Sequence, residues 1–148
     1  MRVVLDTNIL LSALIDPEGA PARLITAWRE QLFELVTSVE QLVELGDVAR
    51  RLVLRARILP ARAGRFINDL RKLAEMLKRL PRVDRSADPA DNFLLAMAEA
   101  GHVDYLVSGH QRGVLALREH GVTRILRARE MLEVLDIQRL QRSATRNP

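Results

Sequence analysis

Residues Arg2 to Leu5 form an apolar, mostly β-branched run that stops at Asp6-Thr7-Asn8, after which apolar residues recur at helical spacing from Ile9 to Leu14. This change of period predicts a buried strand followed by a helix, with Asp6 at the C-terminal end of the strand. The same alternation continues down the chain. Asp16-Pro17-Glu18-Gly19-Ala20-Pro21 reads as a loop, a helix follows from about Ala22 to Gln31, and Phe33 to Thr37 reads as a short strand. Ser38 is placed to cap the next helix, with Gln41 three residues on in the capping-box position. On that helix Leu42, Leu45, Ala49 and Leu52 share one face, while Glu40, Glu44, Asp47 and Arg51 fall on the other. Carboxylates at this spacing repel by about 0.3 kcal/mol per pair, which calls for a nearby cation or for water, and Arg51 could pair with Asp47 one turn away.

Pro60 suits the first turn of a long helix reaching about Arg79, with an apolar seam of Phe66, Leu70, Leu73, Leu77 and Leu80. Arg65, Arg71, Lys72, Lys78 and Arg79 lie mostly away from that seam. Pro81 to Asp84 is a weak strand signal. Asp88-Pro89-Ala90-Asp91 opens a helix through Ala100 that is apolar almost all round, so it is expected in the interior, and it stops at Gly101. Asp104 to Ser108 reads as a strand ending in polar residues, Val114 to His120 as a short helix closed by Gly121, Thr123 to Leu126 as a last strand and Ala128 to Leu135 as a last helix. Strands alternating with helices predict an α/β fold of three layers, helices on both faces of a mostly parallel sheet. One domain is expected over residues 1–137, followed by a polar, basic and flexible tail at 138–148.

Composition narrows the chemistry. A chain of 148 residues that is 48% apolar can bury one substantial core. With no Cys there is no disulfide, no thiolate metal site and no cysteine nucleophile, so a metal would be held by oxygen or imidazole, which favours hard cations such as Mg²⁺ or Mn²⁺. Asp6 and Asn8 interrupt the apolar N-terminus far short of the ~18 residues that a membrane span needs, and a cytoplasmic protein is expected. The net charge of +4 is unevenly spread. Residues 50–85 carry 12 basic side chains against 3 acidic ones, nearly all of them Arg, the better fork for phosphate. That face suits a polyanion, and it equally suits a solvated helix surface. Trp28, Phe33, Phe66, Phe93 and Tyr105 are the only aromatics, most of them in apolar runs, so platforms for base stacking are scarce.

Parallel strands end on one edge of their sheet, so Asp6 and the Ser108-Gly109-His110 turn should be neighbours if their strands are adjacent, and Asp91 could reach that edge from its helix N-terminus. Carboxylates within about 4–6 Å of each other raise a pKa unless a divalent ion neutralises them. Each acid also has a purely structural role open to it. Asp88 and Asp91 are spaced as a capping pair, Asp6 could cap its following helix, and Asp104 could satisfy backbone donors. His102 and His120 read as turn residues beside glycines.

Val4-Leu5-Asp6-Thr7-Asn8, the helix bearing Glu44, Asp88-Pro89-Ala90-Asp91-Asn92 and Asp104-Tyr105-Leu106-Val107-Ser108-Gly109 resemble, in order, the successive motifs of the PIN domain. The nearest likeness is to the branch of toxin components of toxin-antitoxin systems, the VapC-like ribonucleases. The resemblance implies a parallel five-stranded sheet and a nuclease whose acids hold Mg²⁺ or Mn²⁺ to hydrolyse RNA. By position, Asp6, Glu44 and Asp91 are its metal-binding and catalytic acids. Thr7, Asn8, Asn92 and Ser108 are supporting polar groups. Arg65, Arg71, Lys72 and Arg79 would hold the RNA backbone, and a cognate antitoxin and a homodimer are the partners implied.

At the fourth position His110 stands where the family usually has Asp, and Gly113 where some members carry a further Asp. His110 is then a fourth metal-binding position with a ligand poorer than carboxylate for Mg²⁺ and acceptable for Mn²⁺. This leaves open a protein that keeps the fold and acts by binding RNA or a partner protein. Two other α/β chemistries fit less well. A phosphoryl-accepting Asp6 lacks a second carboxylate two residues on, and no G-x-G-x-x-G follows any strand.

Overall fold

The computed structural model describes residues 1–146. Its strands are β1 (Arg2–Leu5), β2 (Glu34–Ser38), β3 (Glu75–Leu77), β4 (Tyr105–Val107), β5 (Glu119–His120) and β6 (Thr123–Leu126). Its α-helices are α1 (Thr7–Ile15), α2 (Ala20–Arg29), α3 (Val39–Leu54), α4 (Pro60–Leu73), α5 (Asn92–Ala100) and α6 (Ala128–Arg146), with 3-10 turns at Pro89–Asp91 and Val114–Leu117. The strands form one sheet in the order β3-β2-β1-β4-β6-β5, parallel throughout except for β5 against β6.

β1 lies at the centre and is buried on both faces, which is why it reads as an unbroken apolar run. Val3 and Leu5 point into a core shared with α1, α2, α3, α4 and α6, and Val4 points into a second core with α5. Burying each such side chain stabilises the fold by about 2 kcal/mol. Leu42, Leu45 and Ala49 of α3 and Phe66 and Leu70 of α4 are buried as expected and Leu94 to Ala98 of α5 are enclosed, whereas Leu52 is half-buried and Leu73, expected in the α4 seam, is 64% exposed. From β1 the chain moves outward through β2 and β3, then returns to the other side of β1 with β4. The order of strands therefore reverses between β1 and β4, and the crevice where ligands bind in open α/β sheets lies beyond the C-terminal ends of those two strands.

Five expectations about elements are corrected. The sheet has six strands rather than five, β5 being a two-residue antiparallel edge strand. The helix opened by Pro60 ends at Leu73, and Glu75–Leu77 is an edge strand in register with Val36–Ser38, so Leu77, Lys78, Arg79 and Leu80 are not helical. Pro81 to Asp84 forms no strand, and Val114–Leu117 is a 3-10 turn from which Arg118, at a φ of 62°, leads into β5. The last helix continues past Leu135 to Arg146, so the expected tail is helical as far as it is described, and its end at Asn147 and Pro148 lies outside the described residues. No helix among the described residues is long and apolar enough to cross a membrane.

Candidate metal centre

Asp6 follows β1 directly and caps α1, its Oδ1 accepting from the Asn8 N–H at 3.2 Å. It is 5% exposed. Ser108, buried at the end of the adjacent strand β4, donates its hydroxyl to Asp6 Oδ2 at 2.7 Å and accepts the His110 N–H at 3.1 Å. His110 Nδ1 in turn lies 2.7 Å from Asp91 Oδ2, the Asp91 side chain being 14% exposed. Asp6, Ser108, His110 and Asp91 are thus one hydrogen-bonded chain across the β1/β4 crevice, and Val114 adds its N–H to Asp91 Oδ2 at 3.3 Å. Capping and site geometry coincide at Asp6, so the choice between the two roles that the sequence leaves open is not exclusive.

Glu44 approaches from α3. Its residue surface is exposed, but its carboxylate turns inward to accept the Thr7 hydroxyl at 3.3 Å. Burial pushes the Asp6 carboxyl up from its ordinary value, against the hydrogen bonds from Ser108 and Asn8, and the charge of Asp91 pushes it further. Glu44 is raised by burial and by the charges of Asp6 and Asp91, while the Thr7 hydroxyl opposes the rise. His110 is raised by its hydrogen bond to Asp91 and then by the charges of Asp91, Asp88 and Asp6. Asp6, Glu44 and Asp91 therefore sit close enough to repel one another, and His110 close enough to offset part of that repulsion.

The tightest donor set is Asp88, Asp91 and His110, whose ligand atoms all lie within 4.8 Å of one another, with Asp88 Oδ2 3.8 Å from His110 Nδ1. Oxygen donors and one imidazole suit a divalent cation that accepts nitrogen, and Gly113 leaves the room. A Cβ there would fall well inside contact distance of Asp91 Oδ2, 2.5 Å from His110 Nδ1 and 3.0 Å from its Cε1. These residues could hold a metal ion.

Asp6 and Glu44 are not members of that donor set, and the remaining expected positions serve elsewhere. Asn92 turns its Oδ1 to the N–H groups of Arg85 and Ser86, at 3.0 and 2.8 Å, and so pins the preceding loop. Asn8 is exposed and contributes its backbone N–H. Arg65, Arg71 and Lys72 are exposed on α4, and Arg79 is exposed beyond β3. Asp47 is paired by Arg50, not by Arg51, whose Nε reaches the Asp47 backbone oxygen. His120 is a strand residue between Glu99 and Arg85.

Two residues near the site were read from the sequence only as capping residues. Asp88 does cap the 3-10 turn, accepting the Ala90 N–H at 3.0 Å, yet its other oxygen faces His110. Gln41 lies fully inside, bonded to Leu5, Thr7 and Thr37. Its signal was a polar residue four before Leu45, on the face of α3 that the seam marks as buried.

An open, mostly parallel sheet with acids gathered at its switch point defines the class, an α/β domain with a candidate metal site. The PIN domain family model matches residues 2–112, and the chain belongs to that family. No curated protein and no solved structure gives a match. PIN domains generally use divalent metal ions and are associated with RNA.

Proposed function

We propose that this protein is a divalent-metal-dependent endoribonuclease, with Asp6, Glu44, Asp91 and His110 around the ion. The observation that supports this reading best is the chain from Asp6 through Ser108 and His110 to Asp91, which joins two acids of separate elements at the switch point of the sheet. A bound Mg²⁺ or Mn²⁺ would offset phosphate charge and lower the pKa of a coordinated water. Ser108 keeps Asp6 facing the crevice, Thr7 does the same for Glu44, and the Asp91 carboxylate orients the His110 ring. In-line attack of water at phosphorus breaks the bond to the 3′ oxygen and leaves 5′-phosphate and 3′-hydroxyl ends. Arg65, Arg71, Lys72 and Arg79 supply contacts to the RNA backbone that are indifferent to sequence. Since imidazole is a poor ligand for Mg²⁺, Mn²⁺ is the better fit.

The order of the motifs supports a finer assignment to the toxin side of a toxin-antitoxin pair, acting in the cytoplasm, as a homodimer and restrained by a cognate antitoxin. One observation favours a second reading, a binding protein with blunted chemistry. His110 Nδ1 and Asp91 Oδ2 already satisfy each other at 2.7 Å, so a cation must displace the proton they share. Incubation with single-stranded and structured RNA in Mn²⁺ separates the two. Cleavage that is lost in Asp6→Asn and Asp91→Asn is the expected result. Cleavage that persists in both variants overturns the assignment of the site, and cleavage that appears only after His110→Asp establishes the second reading.

A further inference from the structure

Gln41 is, among the described residues, the one long polar side chain fully buried beside the site, and all of its polar atoms have partners. The atom 2.7 Å from the Leu5 carbonyl must be the amide nitrogen, because a carbonyl oxygen only accepts. Its Oε1 is then free to accept the Thr37 hydroxyl, also at 2.7 Å. The second N–H of the same nitrogen faces Thr7 Oγ1 at 3.4 Å. A hydroxyl that accepts on one side has one proton left to give, and the remaining neighbour of Thr7 Oγ1 is Glu44 Oε2 at 3.3 Å.

We infer that Gln41 is a positioning residue for Glu44: anchored on Thr37 and Leu5, it fixes the direction of the Thr7 hydroxyl, which presents the Glu44 carboxylate to the crevice. The inference rests on the reading of Glu44 as a metal-binding acid. Gln41 touches neither substrate nor ion; it acts through Thr7. The Ser38 hydroxyl that accepts the Gln41 backbone N–H at 3.1 Å holds the same residue at the first turn of α3, so one capping interaction sets the height of both Gln41 and Glu44.

The test is Gln41→Leu, alone and combined with Thr7→Val, which keeps the β-branched shape and removes the hydroxyl. Mn²⁺ affinity by calorimetry is expected to fall about tenfold in Gln41→Leu, the usual effect of losing a group behind a ligand. In the Thr7→Val background the same change should cost less than about twofold, because the path it acts through is already cut. An equal loss in both backgrounds means that Gln41 merely supports the fold, and the inference fails. Side-chain scalar couplings of Thr7 give a readout independent of metal: one χ1 rotamer in the unaltered protein, averaging in Gln41→Leu. If the unaltered protein binds no Mn²⁺, the metal reading of the site is what fails, and these couplings still decide the inference, since a Thr7 locked in both proteins overturns it. Should Gln41→Leu not fold, Gln41→Met, of similar length and without the N–H groups, takes its place in the same pair of backgrounds, and an equal loss in both again overturns the relay.

Discussion

Asp6 carries the conflict on which the site is built. Its carboxylate is buried and faces other acids, so in the metal-free protein its folded pKa lies above its unfolded one. Such a group contributes stability that is fully present below the unfolded pKa and is lost as pH rises through the raised folded value. Asp6→Asn removes the charge and keeps an oxygen to accept from Ser108. Metal-free wild type and Asp6→Asn should therefore melt alike in acid, with the variant melting higher as pH approaches neutrality, while Mn²⁺ raises the melting temperature of the wild type alone. A stability gap that narrows as pH rises would contradict the burial of that charge. Gly113 makes a second case at this scale. Gly113→Ala places a methyl against Asp91 Oδ2 and His110 Nδ1, which are ends of side chains able to swing away. Calorimetry should show Mn²⁺ affinity about tenfold weaker, with the melting temperature nearly unchanged. Asp6 and Ser108 were legible because each sits where a hydrophobic period breaks off, and Asp91 because it sits where one begins. Asp88 and Gln41 were not, because capping accounts for both locally, and their second partners, His110 and Thr7, lie far away in the chain.

Elements whose apolar faces are buried on a strict period were readable: β1, the seam of α3 and the enclosed α5. The boundary between α4 and β3 was not. Ala74-Glu75-Met76-Leu77-Lys78 consists of good helix formers, and neither Gly nor Pro marks the end of α4. The extended backbone at Ala74 is set by pairing with β2, a contact that local propensity does not encode. Gly121 misled for a related reason. A glycine after a short apolar run can end a helix or turn a hairpin, and here, at a φ of 58°, it turns β5 into β6. In the long segment between β3 and α5, Leu80 and Val83 pack against the second core, Arg85 donates to the Glu119 backbone oxygen, and Asn92 accepts two backbone N–H groups. Asn92→Ala leaves both donors without that acceptor and should lower stability by about 1–2 kcal/mol, read as a lower urea midpoint at unchanged slope. An unchanged midpoint would mean that water replaces the amide at no cost.

Across the whole molecule the charges are segregated by sequence: the first 49 residues carry 8 acids to 3 bases, while residues 50–85 reverse the balance. The fold folds this contrast into one body, because α4 packs along α3 and α1, the helices that bring Glu44 and follow Asp6. A polyanion drawn to the basic segment is thereby held beside a cluster of acids that repels it wherever no cation intervenes. Binding and cleavage should then separate. Neutralising Arg65, Arg71 and Lys72 together removes three exposed cations from α4 while leaving the core seam of Phe66 and Leu70 intact. If each contacts one phosphate of a single strand, the slope of log affinity against log salt becomes shallower by about 2, and cleavage at saturating RNA stays near the unaltered rate. Fluorescence anisotropy across a salt series measures the first, single-turnover cleavage the second. An unchanged slope would place the RNA path elsewhere and make the basic outer face of α4 a solvated surface.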